Sequence, residues 1–189
     1  MSAFFHRFIE KKKYLFISMI IVLSMGVIFG FYEYQQVSNQ IQNFFNKLFY
    51  LNVEGYSNDY QMYIIQNGVF ILICTYLSTS YIGYFGLLLM SFLKGIQLSF
   101  SLFYVFSTVP LSIIIVLFVV LQLIIELAFI LSIVYMNMYI SIYTKIVTFF
   151  VEQNFNFKSI MNYQLNSLII SLFLFCGALA LRMYIIPMF

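Results

Sequence analysis

Long apolar stretches alternate with short polar ones along the whole chain. From residue 14 to residue 32 only Ser, Gly and Tyr interrupt an otherwise aliphatic and Phe-rich run. Similar runs cover residues 62–79, 81–107, 110–136 and 166–186. A helix needs about 20 apolar residues to cross roughly 30 Å of hydrocarbon, and each run meets or approaches that length. Backbone amides in lipid must be satisfied within the segment, which selects helices over open strands. The runs also lack the strict alternation of a membrane barrel. The pattern therefore predicts an all-α fold: a polytopic transmembrane bundle of about five spanning helices, forming one integral membrane domain over residues 1–189. Pro110 stands where a helix can begin without losing a hydrogen bond.

Two stretches have intermediate character. Residues 33–61 hold Glu33, Lys47, Glu54 and Asp59, while Val37, Ile41, Phe44, Phe45, Leu48 and Phe49 recur at helical spacing. Residues 139–153 place Ile142, Tyr143, Ile146, Val147 and Phe150 on one face and Thr144, Lys145, Thr148 and Glu152 on the other. Both patterns predict amphipathic helices lying on the membrane surface. The second is alternatively a contact for a soluble partner.

Composition agrees with the pattern. Hydrophobic residues make up 63% of the 189 and charged ones 8%, against about 25% charged in a soluble domain. The 21% aromatic content is all Phe and Tyr, and Tyr suits the membrane–water interface. A formal charge of +3 is too small to point to nucleic acid. Arg7 and Lys11, Lys12 and Lys13 precede the first run, which is too long for a signal-peptide core and ends in Glu33-Tyr34-Gln35-Gln36 without a small-x-small cleavage site. We read it as a retained first span. With the N-terminus in the cytoplasm, Arg7, Lys11, Lys12, Lys13, Lys145 and Lys158 fall inside, and Lys47 and Arg182 outside. That distribution follows the positive-inside rule for a multi-pass cell-membrane protein.

Candidate chemistry is sparse. Cys74 and Cys176 lie in apolar runs as small hydrophobes, and His6 is the sole histidine, so no metal site is expected. The sequence has no G-x-x-x-x-G-K-[ST], H-E-x-x-H or G-x-S-x-G motif. No cofactor and no enzymatic activity are expected, and ATP-driven work would need a separate ATPase chain. Lys94 and Glu126 are the exceptions to an apolar interior, each near the middle of a span, where a charge costs about 2.5–3.5 kcal/mol. Their offset about the turn near Thr108 corresponds to roughly 6 Å along antiparallel neighbours. They form either a structural ion pair or a pair lining a translocation path. Gln122, one turn before Glu126, is placed to hydrogen-bond with it, and Asn67 is a further intramembrane polar group that should face protein. Ser91, Gly95 and Ser99 recur every fourth position, a small-residue stripe that lets another helix approach, within the chain or in a homodimer.

Phe92-Leu93-Lys94-Gly95 is similar to the F-x-[NK]-G element of the stage II sporulation protein M family. Leu121-Gln122-Leu123-Ile124-Ile125-Glu126-Leu127 keeps the Glu-Leu of that family's Pro-His-Gly-x-x-Glu-Leu stretch and lacks its Pro, His and Gly. Met25-Gly26 with Gly30 resembles its M-G-x-x-x-G pattern, Asn67 its helix-opening Asn, and Pro187 its near-terminal Pro. Arg182 departs from the acidic residue found there in many members. The resemblance implies a five- or six-span helical protein without catalytic activity. The family's namesake anchors a peptidoglycan-remodelling complex in the membrane during engulfment. Other members resemble membrane components encoded beside ABC ATPases, some in circular bacteriocin clusters. Expected partners are thus the bilayer, other membrane or envelope proteins, and a separate ABC ATPase. Richness in Ile, Phe, Tyr, Asn and Lys suits an AT-rich, low-GC Gram-positive genome.

Overall fold

Apolar runs uninterrupted by proline favour helix wherever the backbone cannot bond to water, and every regular element among the described residues is helical. The computed structural model describes residues 2–36, 60–80, 82–108, 113–150 and 157–181. It contains α1 (Ser2–Gln36), α2 (Tyr60–Thr79), α3 (Gly83–Thr108), α4 (Ile113–Phe150) and α5 (Phe157–Ala180). Three helices are long and apolar enough to cross a membrane by length and composition, over Lys13–Gln36, Gly83–Phe103 and Val120–Ile142. The remaining apolar segments, Tyr63–Thr79 and Leu168–Ala180, are shorter. Most of the amphipathic stretch expected over 33–61 lies outside the described residues, as do Pro110, Arg182 and Pro187. Glu33 to Gln36 continue α1.

The second expected surface helix is corrected by α4. Residues 139–150 do not form a separate element; α4 runs through them unbroken for 38 residues, a length of about 57 Å. Asn137 shows why no break occurs. Its side chain is buried and its Nδ2 donates to Ile133 O at 2.7 Å, so the amide bonds back onto its own helix instead of marking an end, while its Oδ1 has no hydrogen-bond partner among the described residues. α1 is similarly long, with 35 residues and about 53 Å.

α2 and α3 form a tight antiparallel hairpin. Ser80 N donates to Leu77 O at 3.0 Å and Gly83 N to Ser80 O at 3.1 Å. A Cβ on Gly83 would collide with the Leu77 carbonyl, so this turn requires glycine. α1 and α3 pack most closely. A Cβ on Gly26 would strike the Phe92 carbonyl and one on Gly95 the Leu23 carbonyl, while a Cβ on Gly30 would stand 3.0 Å from Ile96 Cα. Missing side chains thus let the two backbones meet, the mechanism of small-x-x-x-small packing in lipid. Toward the end of α1, Tyr34 stacks on Phe103 at 4.8 Å and meets Phe100 edge-on at 5.1 Å. A second aromatic cluster joins α2, α4 and α5. Tyr63 stacks on Phe175 at 5.8 Å, and Phe129 meets Phe175 at 5.9 Å and Phe70 at 6.1 Å.

Burial differs from that of a water-soluble domain: beside an apolar core that includes Met19, Leu87, Phe129 and Ile133, polar groups are buried and large apolar side chains line the outside. Asn67, Ser91, Lys94, Gln97, Gln122, Glu126, Asn137 and Ser171 are buried. Tyr14, Ile28, Leu72, Phe85, Leu117 and Phe173 are exposed, Phe173 at 79%. Contiguous exposed apolar surface of this extent marks contact with membrane or protein.

Candidate functional site

The charges singled out in the sequence sit in the interior, but they do not meet. Lys94 and Glu126 are each 6% exposed, and no direct ion pair joins them. The Lys94 ammonium instead donates to Asn67 Oδ1 at 2.8 Å and lies 4.8 Å from the centre of the Phe70 ring. Asn67 is fixed in turn by its own Nδ2, which donates to Tyr63 O at 3.1 Å. The lysine is therefore held by a charge-assisted hydrogen bond and a cation–π contact, both from α2.

The expected direct pair fails for a geometric reason. Lys94 sits on the face of α3 that meets the polar side of α2, and a neutral amide occupies its nearest acceptor position. No hydrogen bond joins Gln122 to Glu126 among the described residues; both are buried on α4 without one. The Ser91, Gly95 and Ser99 stripe is covered by α1 within the same chain, with Gly26 and Gly30 opposite Gly95 and Ser99. The hydroxyls of Ser91 and Ser99 are buried without a hydrogen-bond partner among the described residues. Their small size serves the contact, not their polarity.

Beside Lys94 lies a partly open cavity of about 540 Å³ between α1, α2 and α3. Lys94, Gln97, Gln66 and Glu33 supply its polar wall, and Phe29, Val69, Phe70 and Leu93 are among its apolar residues. Gln97 Nε2 donates to Gln66 Oε1 at 3.3 Å, which ties the walls from α3 and α2 together. Gln97 and Gln66 escaped the reading of the sequence. The available signal was spacing: Gln97 lies one helical turn after Lys94 on the same face, and Gln66 immediately precedes Asn67.

Two further polar contacts bind the bundle away from the cavity. Ser132 Oγ and Ser171 Oγ are 3.3 Å apart between α4 and α5, and Ser18 Oγ lies 3.3 Å from the Tyr84 hydroxyl between α1 and α3. Cys74 is buried and Cys176 exposed, both as free thiols. No protein-family model, curated protein or solved structure matches the chain.

Proposed function

We propose that the chain is a non-enzymatic, multi-pass membrane subunit, a divergent relative of the stage II sporulation protein M family. It crosses the cell membrane of a low-GC Gram-positive bacterium five times, with its N-terminus in the cytoplasm. There it serves as the membrane component or scaffold of a multiprotein complex. The observation that supports this reading is the apolar outer surface of the bundle. Tyr14, Ile28, Leu72, Phe85, Leu117 and Phe173 are exposed, and apolar surface of this extent marks contact with membrane or with other proteins. A chain with this much apolar surface suits the membrane component of an assembly.

A second reading, the permease subunit of an ABC-type exporter or bacteriocin secretion or immunity system, is favoured by Lys94 in the wall of the intramembrane cavity. Buried charges inside membrane bundles commonly serve substrate or ion paths. Purification of the tagged full-length protein from its native host in mild detergent, with mass spectrometry of what accompanies it, decides between the two. Stoichiometric cell-wall hydrolases or other envelope proteins support the scaffold. A stoichiometric ATPase transfers the protein to the transporter reading. Recovery of the chain alone, in every mild detergent tried, contradicts both.

A further inference from the structure

We propose that the cavity between α1, α2 and α3 is a binding site for a membrane-borne amphiphile with an anionic head, which the Lys94 ammonium receives. The inference rests on the membrane-embedded bundle but not on assembly with partners, so either can fail without the other.

The charge balance inside the bundle carries it. Lys94 is 6% exposed, and its hydrogen bond goes to a neutral amide, Asn67. An ammonium carries three donors, so the contact to Asn67 leaves two for another acceptor. Glu126, the interior acid, is not among the residues lining the cavity and does not touch the lysine. A buried ammonium without a contacting anion is the arrangement in which an added carboxylate or phosphate gains most. Beyond Lys94 the wall continues with the amide of Gln97, 8% exposed, which can donate to the same head group.

Shape and access fix the rest of the ligand. The cavity's volume of about 540 Å³ falls within the range of roughly 300–1,000 Å³ typical of small-molecule sites. Its other walls are mainly aliphatic and aromatic, which suits an acyl chain. Phe29, Val69, Ile73 and Leu93 line the cavity and are also exposed on the outer surface of the bundle. The opening therefore faces the lipid side, and a ligand already dissolved in the bilayer can enter between α1 and α2. Glu33 also lines the cavity, but among the described residues it makes no ion pair with Lys94, whose hydrogen bond goes to Asn67.

The test uses the full-length chain in nanodiscs of phosphatidylcholine, titrated with radiolabelled palmitate, with unlabelled phosphatidylglycerol and with cetyl alcohol as competitors. Saturable palmitate binding is expected, and K94M is expected to weaken it about tenfold or more, the worth of one charge-assisted contact. K94R retains the charge and is expected to keep binding near the wild-type level. Because K94M also removes the bond to Asn67, a second variant, I73W, narrows the cavity from its lipid-exposed wall and leaves Lys94 intact. It too is expected to lose binding while eluting as the wild type does. Competition by phosphatidylglycerol assigns the head group to a phospholipid phosphate, and its absence assigns it to a free carboxylate. Absence of saturable palmitate binding, equal competition by cetyl alcohol, or unchanged binding in K94M overturns the proposal.

Discussion

A lysine in mid-span costs about 2.5–3.5 kcal/mol, and Lys94 offsets that cost mainly with neutral groups. Asn67 and Phe70 contact it, whereas Glu126 makes no direct ion pair with it. Coupling energies measured by thermal unfolding in detergent separate these contributions. The cycle of Lys94→Met with Asn67→Leu is expected to show coupling of about 1 kcal/mol, within the range for polar contacts in membrane bundles. The cycle of Lys94→Met with Glu126→Gln is expected to show less, and exchanging the two charges is not expected to restore the wild-type Tm. Full rescue by the exchange would mean that the two groups do pair. Glycines offer a second residue-scale test. Gly95→Ala places a methyl against the Leu23 carbonyl and is expected to destabilise by about 1–3 kcal/mol, as overpacking does. Gly68 has open space where its Cβ would stand, so Gly68→Ala is expected to leave Tm unchanged or raise it slightly through helix propensity. Equal effects at both glycines would contradict the close α1–α3 crossing. At this scale the sequence revealed which residues are unusual but not their partners. Lys94, Glu126 and Asn67 stand out in apolar runs, yet the choice of an amide over an acid depends on helix rotation, which no linear spacing records.

Helix centres were readable because each spanning segment repeats the same demand, about 20 apolar residues. Ends were harder. The amphipathic pattern after residue 139 does not mark a turn, because α4 continues through it to Phe150, and a helix leaving a bilayer and one lying on it present the same alternation. α5 begins at Phe157, ahead of the apolar run at 166, since Lys158, Asn162 and Gln164 are compatible with helix although they interrupt hydrophobicity. The small-residue stripe was legible as a contact surface, while its occupant, α1, was not. The continuity of α4 is measurable with nitroxide labels at Leu117 and Phe150 in a background lacking Cys74 and Cys176. An unbroken helix places the two backbones about 50 Å apart. A right-angle bend near Tyr139 would shorten this to about 37 Å.

For the molecule as a whole, an apolar outer surface around a core that also holds polar groups matters more than any single contact. Interior polar groups such as Asn67, Asn137 and Ser171, set against exposed Ile28, Leu72 and Phe173, fit a solvent that is itself apolar. Without water to drive helices together, close backbone contact and interhelical polar bonds take over, as the α1–α3 glycines and the Ser132–Ser171 contact do here. Composition made this apolar outer surface legible from the start. The cavity was not, because it arises from how three helices diverge around Lys94. A five-span chain with a cytoplasmic N-terminus makes a direct topological prediction, tested by single cysteines introduced into a Cys74→Ala, Cys176→Ala background and probed on intact cells with a membrane-impermeant maleimide. Cysteines at Ser57 and Met188 should label from outside, and those at Ser2, Ser80 and Ser159 only after the cells are opened. Labelling of Ser2 and Met188 from the same side would contradict the five-span arrangement.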